Sequence, residues 1–170
     1  MSNNFLPKYA FFISGTGQHV DHLQAFDRAL IAAGPLAHNL VCVSSIIPAE
    51  CKIITPEEGF PMLTPGQITF CVMARQDTNQ AGEIASASVG MAKLKDSKQF
   101  GYISEFHSTT LGKDAVDEKA RTLALEMLSV KKGVSASELD IEILHATTAS
   151  IAHPGGDEWV SAVALCIFVI

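Results

Sequence analysis

The sequence predicts an α+β fold in which stacked, mainly antiparallel sheets lie between outer helices. Seven apolar or alternating runs read as strands, at 9–14, 40–46, 67–77, 85–94, 100–108, 140–149 and 160–170. Only two stretches carry helical periodicity. No repeat, low-complexity segment or long linker breaks the 170 residues, which read as one domain with a sizeable core at 48% hydrophobic content.

In chain order, the apolar run 9–14 is followed by SGTG at 14–17, which reads as a turn before the first helix because it does not continue into a phosphate-binding pattern. DHLQAFDRALIAAG follows, with Leu23, Phe26, Leu30 and Ala33 on one stripe and Gly34-Pro35 as a stop. The next strand, 40–46, lies within HNLVCVSSIIP and ends near Ser44-Ser45. From Gln67 to Asp77, Ile68, Phe70, Val72 and Ala74 alternate onto one face. The second helix, 113–131, buries Val116, Ala120, Leu123, Ala124 and Met127 and stops at Gly133. Asp114, Asp117 and Glu118 crowd its start and Lys131-Lys132 its end, in accord with the helix dipole. HPGGDEW at 153–159 is a turn, and the strand 160–170 is apolar on both faces and therefore covered on both sides.

A net charge of −6 argues against nucleic acid or an anionic membrane surface as partner, since both favour basic patches. The mean hydropathy of +0.24 is high for a chain of this length and suggests that a subunit interface as well as a core is buried. VSAVALCIFVI at 160–170 is about half the roughly 20 residues that a spanning helix needs. No basic segment with an apolar core opens the chain, and the four cysteines lack a CxxC spacing. A cytoplasmic location with reduced thiols is the expectation, with one disulfide left open. His19 and His22 stand three apart without a matching ligand set, so no metal site is expected.

Chemistry centres on Ser44-Ser45. A serine hydroxyl can attack the carbonyl before it, and if the resulting ester is eliminated the chain splits and the serine becomes a pyruvoyl group. A pyruvoyl decarboxylase then needs a general acid, an oxyanion donor and a group that recognises the substrate side chain. Glu105 stands among Tyr102, Ile103 and Phe106, where partial desolvation would let it hold a proton near neutral pH. Asp27 lies beside the apolar stripe of the first helix and suits either a pocket or a solvated ion pair with Arg28. Glu83 either joins the site or caps a strand; Ile46 packs near the cleavage point. His107 could tune Glu105 or be a surface histidine, and His38, next to Asn39, could assist processing or do nothing.

The runs QAFDRAL at 24–30, NLVCVSSIIP at 39–48, AGEIASASVGMA at 81–92 and FGYISEFHS at 100–108 carry a wider likeness. Through them the chain resembles the pyruvoyl-dependent arginine decarboxylases along nearly its whole length. The resemblance implies a cut between Ser44 and Ser45, giving a β chain of 1–44 and an α chain of 45–170 that opens with a covalent pyruvoyl derived from Ser45. It implies a carboxy-lyase that converts L-arginine to agmatine and CO2 through a Schiff base. Asn39 would support self-cleavage, Glu105 would be the proton donor and Asp27 would hold the guanidinium. Leu30, one turn on, could line the same pocket, although periodicity alone places it in the core. The resemblance further implies an αββα sandwich, assembly as trimers of αβ units or pairs of such trimers, and sites between subunits. The alternatives are the same chemistry on another cationic amino acid, or an unprocessed, non-catalytic homologue.

Overall fold

Two sheets stacked face to face carry one long helix on each outer side. The computed structural model describes residues 5–35 and 37–170. Its main elements are β1 (Tyr9–His19), α1 (His22–Ala33), β2 (Asn39–Cys42), β3 (Ile46–Ile47) and β4 (Lys52–Ile53). A short α2 (Pro56–Gly59) precedes β5 (Ile68–Thr78), β6 (Ile84–Leu94) and β7 (Gly101–Ser108). The chain ends with α3 (Lys113–Lys132), β8 (Ile141–Ala152) and β9 (Trp159–Val169). One sheet has the order β2-β5-β9-β1-β4 and the other β3-β7-β6-β8. All neighbours are antiparallel except β1 with β4 and β2 with β5. The predicted α+β class is the one observed.

The layer between the sheets is rich in alanine. Ala10, Ala74, Ala162 and Ala164 of the five-stranded sheet meet Ala85, Ala87, Val89, Met91 and Ile103 of the other. β9 is buried along almost its whole length because α1 covers one face and the four-stranded sheet the other. α3 closes the far side, with Val116, Ala120, Ala124 and Leu128 buried, while Leu123 and Met127 are half-buried. It ends where Gly133 turns left-handed at φ 70° and donates to Ser129 and Val130 carbonyls.

Three expectations need correction. SGTG is not a turn: β1 runs unbroken through it to His19. The glycines are there because α1 lies directly on the strand; a Cβ on Gly17 would stand 2.1 Å from the Ala25 carbonyl oxygen, and one on Gly15 2.3 Å from that of Ala29. The buried stripe of α1 is Ala25 and Ala29, flanked by half-buried Phe26, Leu30 and Ala33, whereas Leu23 is 70% exposed. The strand read over 40–46 is two strands in different sheets, broken between Cys42 and Ile46.

The glycine contacts make a testable statement. Gly17→Ala forces a methyl group against helix backbone that cannot turn aside, so α1 must lift off; overpacking of this kind costs about 1–3 kcal/mol. We expect its thermal midpoint to fall by roughly 5 °C. Gly112→Ala, where no atom lies within 4 Å of the new methyl, should melt close to wild type. Equal midpoints for the two variants would show that the close helix approach is not what Gly17 serves.

Candidate active site at the crossing between the sheets

Ser44 and Ser45 form the link by which the chain leaves one sheet and enters the other. Just before it, Val43 N–H donates to the Cys71 carbonyl at 2.9 Å, at the end of the parallel pairing of β2 with β5. Just after it, the Ser45 carbonyl accepts from Ile103 N–H at 2.7 Å, and β3 pairs Ile46 with Tyr102 and Ile47 with Gly101. The peptide bond between the serines is thus held at both ends by different sheets. The Ser44 carbonyl oxygen also accepts from Ile46 N–H at 3.2 Å, a donor aimed at the group that a Ser45 hydroxyl would attack. Ser44 is exposed and Ser45 half-buried. A cavity of about 350 Å³, lined by Phe5, Val43, Ser44, Ile46 and Phe70 among others, opens beside them.

Glu105 comes to the same edge from two directions. It follows Ile103, which holds Ser45, by two residues on β7. It also lies near enough to Cys71 for its charge to help push that buried thiol up to about 12, behind burial itself and the neighbouring Cys42. The residue reaches solvent, yet partial burial of its carboxyl raises the pKa, with the His107 charge working in the opposite direction. His107 is tied to β5 by a hydrogen bond between its Nδ1 and Gln76 Oε1 at 2.8 Å.

The other candidates are held as follows. Asn39 opens β2; its backbone N–H donates to Gln67 O at 2.9 Å and its side-chain amide to Gly66 O at 2.8 Å. Its side-chain amide thereby ties the start of β2 to the loop before β5. Asp27 is exposed on α1, on the outer side of the five-stranded sheet. Its neighbour Arg28 donates to the Gln18 carbonyl at 3.0 Å and makes no ion pair with it. Leu30 is half-buried in the core under α1. Glu83 accepts from Thr78 Oγ1 at the turn between β5 and β6. His38 is half-buried, its Nδ1 without a partner among the described residues.

One donor escaped the sequence reading. Ile46 supplies its backbone N–H, which no side chain announces. Among the described residues no cluster of three or more His, Cys, Asp or Glu could hold a metal, and no helix is long and apolar enough to cross a membrane. All four cysteines are free thiols, and only Cys42 is exposed.

Comparison with known proteins places this arrangement in context. The family model described as pyruvoyl-dependent arginine decarboxylase matches residues 9–170. The chain is 37% identical, over the full length of both, to pyruvoyl-dependent arginine decarboxylase 1 of Methanosarcina acetivorans. It is 42% identical to pyruvoyl-dependent arginine decarboxylase 2 of Archaeoglobus fulgidus, across 97% of this chain and 98% of that one. A probable pyruvoyl-dependent arginine decarboxylase of Chlorobium phaeovibrioides is 44% identical over 77% of this chain and 72% of its own length.

Proposed function

The chain belongs to the pyruvoyl-dependent arginine decarboxylase family, and we propose from this and from the site that it cuts itself at Ser44-Ser45 and converts L-arginine to agmatine and CO2. The observation that carries the proposal is the link between the sheets: a serine pair anchored on both sides, its carbonyl accepting from Ile46 N–H, next to the strand β7 that carries Glu105.

The cleavage chemistry follows from these positions. Ser45 Oγ attacks the Ser44 carbonyl carbon, the bond to the Ser45 nitrogen breaks, and an ester forms. Elimination releases Ser44 as a carboxylate, and one water then displaces ammonia to leave a carbonyl at position 45. A pyruvoyl group fits there: its amide oxygen would keep the Ile103 hydrogen bond, and the cavity beside it leaves room for a substrate. When present, the group supplies an electrophilic carbonyl that takes up the arginine amine and draws in the electron pair freed as CO2 departs. Glu105 returns a proton to the α-carbon and is reloaded from solvent. Cutting at the link leaves β1 paired with β9 along eleven residues, so the two products stay together without a covalent bond. Incubation with arginine, an agmatine assay and the intact mass of each chain test the proposal together. Uncut protein that forms no agmatine would sink it and leave the non-catalytic homologue.

The site is completed between subunits of a trimer. Asp27 stands on an exposed stripe of α1 between Leu23 and Ile31, which are 70% and 64% exposed. Apolar residues one turn to either side of an open carboxylate suit a face that another copy covers, and such cover would desolvate Asp27 for a bidentate grip on a guanidinium. We therefore expect Asp27→Ala and Glu105→Gln each to be inactive alone, and an equal mixture, unfolded and refolded together, to recover about a quarter of wild-type turnover by random assortment of subunits. A mixture as inactive as its parts would place both residues in one subunit's site.

A further inference from the structure

A second cavity, of about 630 Å³, concentrates positive charge in a chain whose net charge is −6. Four of the chain's twelve lysines and arginines, Lys8, Lys52, Lys93 and Lys95, line it, against the two carboxylates Glu50 and Glu142. Lys93 is the telling residue. It is only 7% exposed, and its Nζ donates to the Cys51 carbonyl at 2.9 Å. No carboxylate lies within ion-pair distance of it among the described residues. An ammonium has three donors, so two remain, and a buried charge without a counter-charge is expensive unless something supplies one.

The other charged residues of the cavity wall are held in different ways. Lys52 N–H donates to the Lys8 carbonyl at 2.9 Å, which fixes those two lysines side by side where β1 and β4 run parallel. Lys95 pairs with Asp140 in an exposed ion pair that holds its side chain weakly and leaves it able to swing inward. Glu50, on the cavity wall, has φ 65°, the one non-glycine residue with positive φ among the described residues. Its backbone N–H is held by Ser97 O at 2.8 Å. A left-handed conformation at such a residue is kept only where the surroundings impose it.

We propose that this cavity binds a dianionic phosphate group, free or carried on a small organic molecule. Phosphate oxygens would take the two spare donors of Lys93 and draw in Lys52, Lys95 and Lys8 as charge-assisted partners. On the cleavage proposed above, Lys8 belongs to the small chain and the other three lysines to the large one. A bound phosphate would then clamp the two products together.

Isothermal titration of the purified, full-length protein with inorganic phosphate and with adenosine monophosphate, against matched chloride, tests the site. Saturable binding of either is expected, and the tighter of the two identifies the source of the phosphate group. Lys93→Met should weaken binding at least tenfold. Should that variant fail to fold, the rim double variant Lys52→Gln/Lys95→Gln must weaken binding too, while agmatine formation stays unchanged. Absence of saturable heat with both probes, or variants that bind as wild type does, overturns the proposal. So does a wild type that binds neither probe while Lys93→Met alters the mass of the assembly in light scattering, which would assign the lysines to a subunit contact.

Discussion

Ser45→Ala is expected to abolish cleavage and decarboxylation together, giving one band at 18.2 kDa on a denaturing gel and no agmatine. The reason is covalent and leaves no partial route. Alanine has no oxygen to attack the Ser44 carbonyl, so no ester forms, nothing is eliminated, and position 45 never becomes an electrophile. Without that carbonyl the arginine carboxylate has no acceptor for the electron pair left when CO2 departs, and active-site positioning cannot substitute for it. The fold should survive, because Ser45 contributes to the sheets through its backbone oxygen, held by Ile103 N–H at 2.7 Å, and alanine keeps that oxygen. Ser44→Ala is the informative partner variant. Ser44 offers only its carbonyl, which accepts from Ile46 N–H, so cleavage into 1–44 and 45–170 should persist. Agmatine formation by Ser45→Ala would falsify the mechanism. Loss of cleavage in Ser44→Ala would show instead that the first hydroxyl takes part.

How much of this could be read beforehand depended on whether the deciding contacts were local. The doubly covered C-terminal strand was legible because, Ser161 apart, Val160 to Val169 are apolar at odd and even positions alike, a pattern that needs cover on both faces. α3 was legible from its period and its terminal charges. Gly15 and Gly17 misled because a glycine that admits a helix and a glycine that makes a turn look the same in sequence; only Ala25 and Ala29 pressing on them decide. The same contact corrects the α1 stripe: a helix lying this close buries its alanines and turns Leu23 outward. The break in the strand read over 40–46 was hidden for a related reason. Val43 belongs to Cys71 and Ser45 to Ile103, partners tens of residues away, and nothing in LVCVSSI marks where one sheet hands over to the other. In the site, reactive side chains were visible as residue types in context, Glu105 among apolar neighbours above all. The Ile46 N–H was invisible because every residue but proline has one. That Asp27 stands exposed on α1, on the outer side of the five-stranded sheet, was equally hidden, since spacing along a chain does not report which side of a sheet a residue occupies.

Glu105→Gln should separate the two reactions that Ser45→Ala removes together. We expect normal cleavage into two chains, because the attack on Ser44 is aided by Ile46 N–H and asks nothing of the carboxyl. Decarboxylation should fall by about 10²–10⁴-fold, the usual contribution of a positioned general acid. Glutamine keeps the shape of the side chain but has no proton of suitable acidity for the α-carbon. The pH profile carries the sharper test. Burial raises the Glu105 pKa, so the carboxyl keeps its proton to higher pH than an exposed glutamate would. Activity that depends on the protonated form is full below that pKa and lost as pH rises through it, which gives wild-type kcat an alkaline limb. His107 acts against burial, since its positive charge favours the carboxylate and lowers the pKa. Removing that charge with His107→Gln should therefore move the limb to higher pH, not lower, while KM for arginine changes little. A limb that stays in place would mean that the proton comes from another group. A limb that moves down would mean that His107 holds Glu105 through a contact other than its charge.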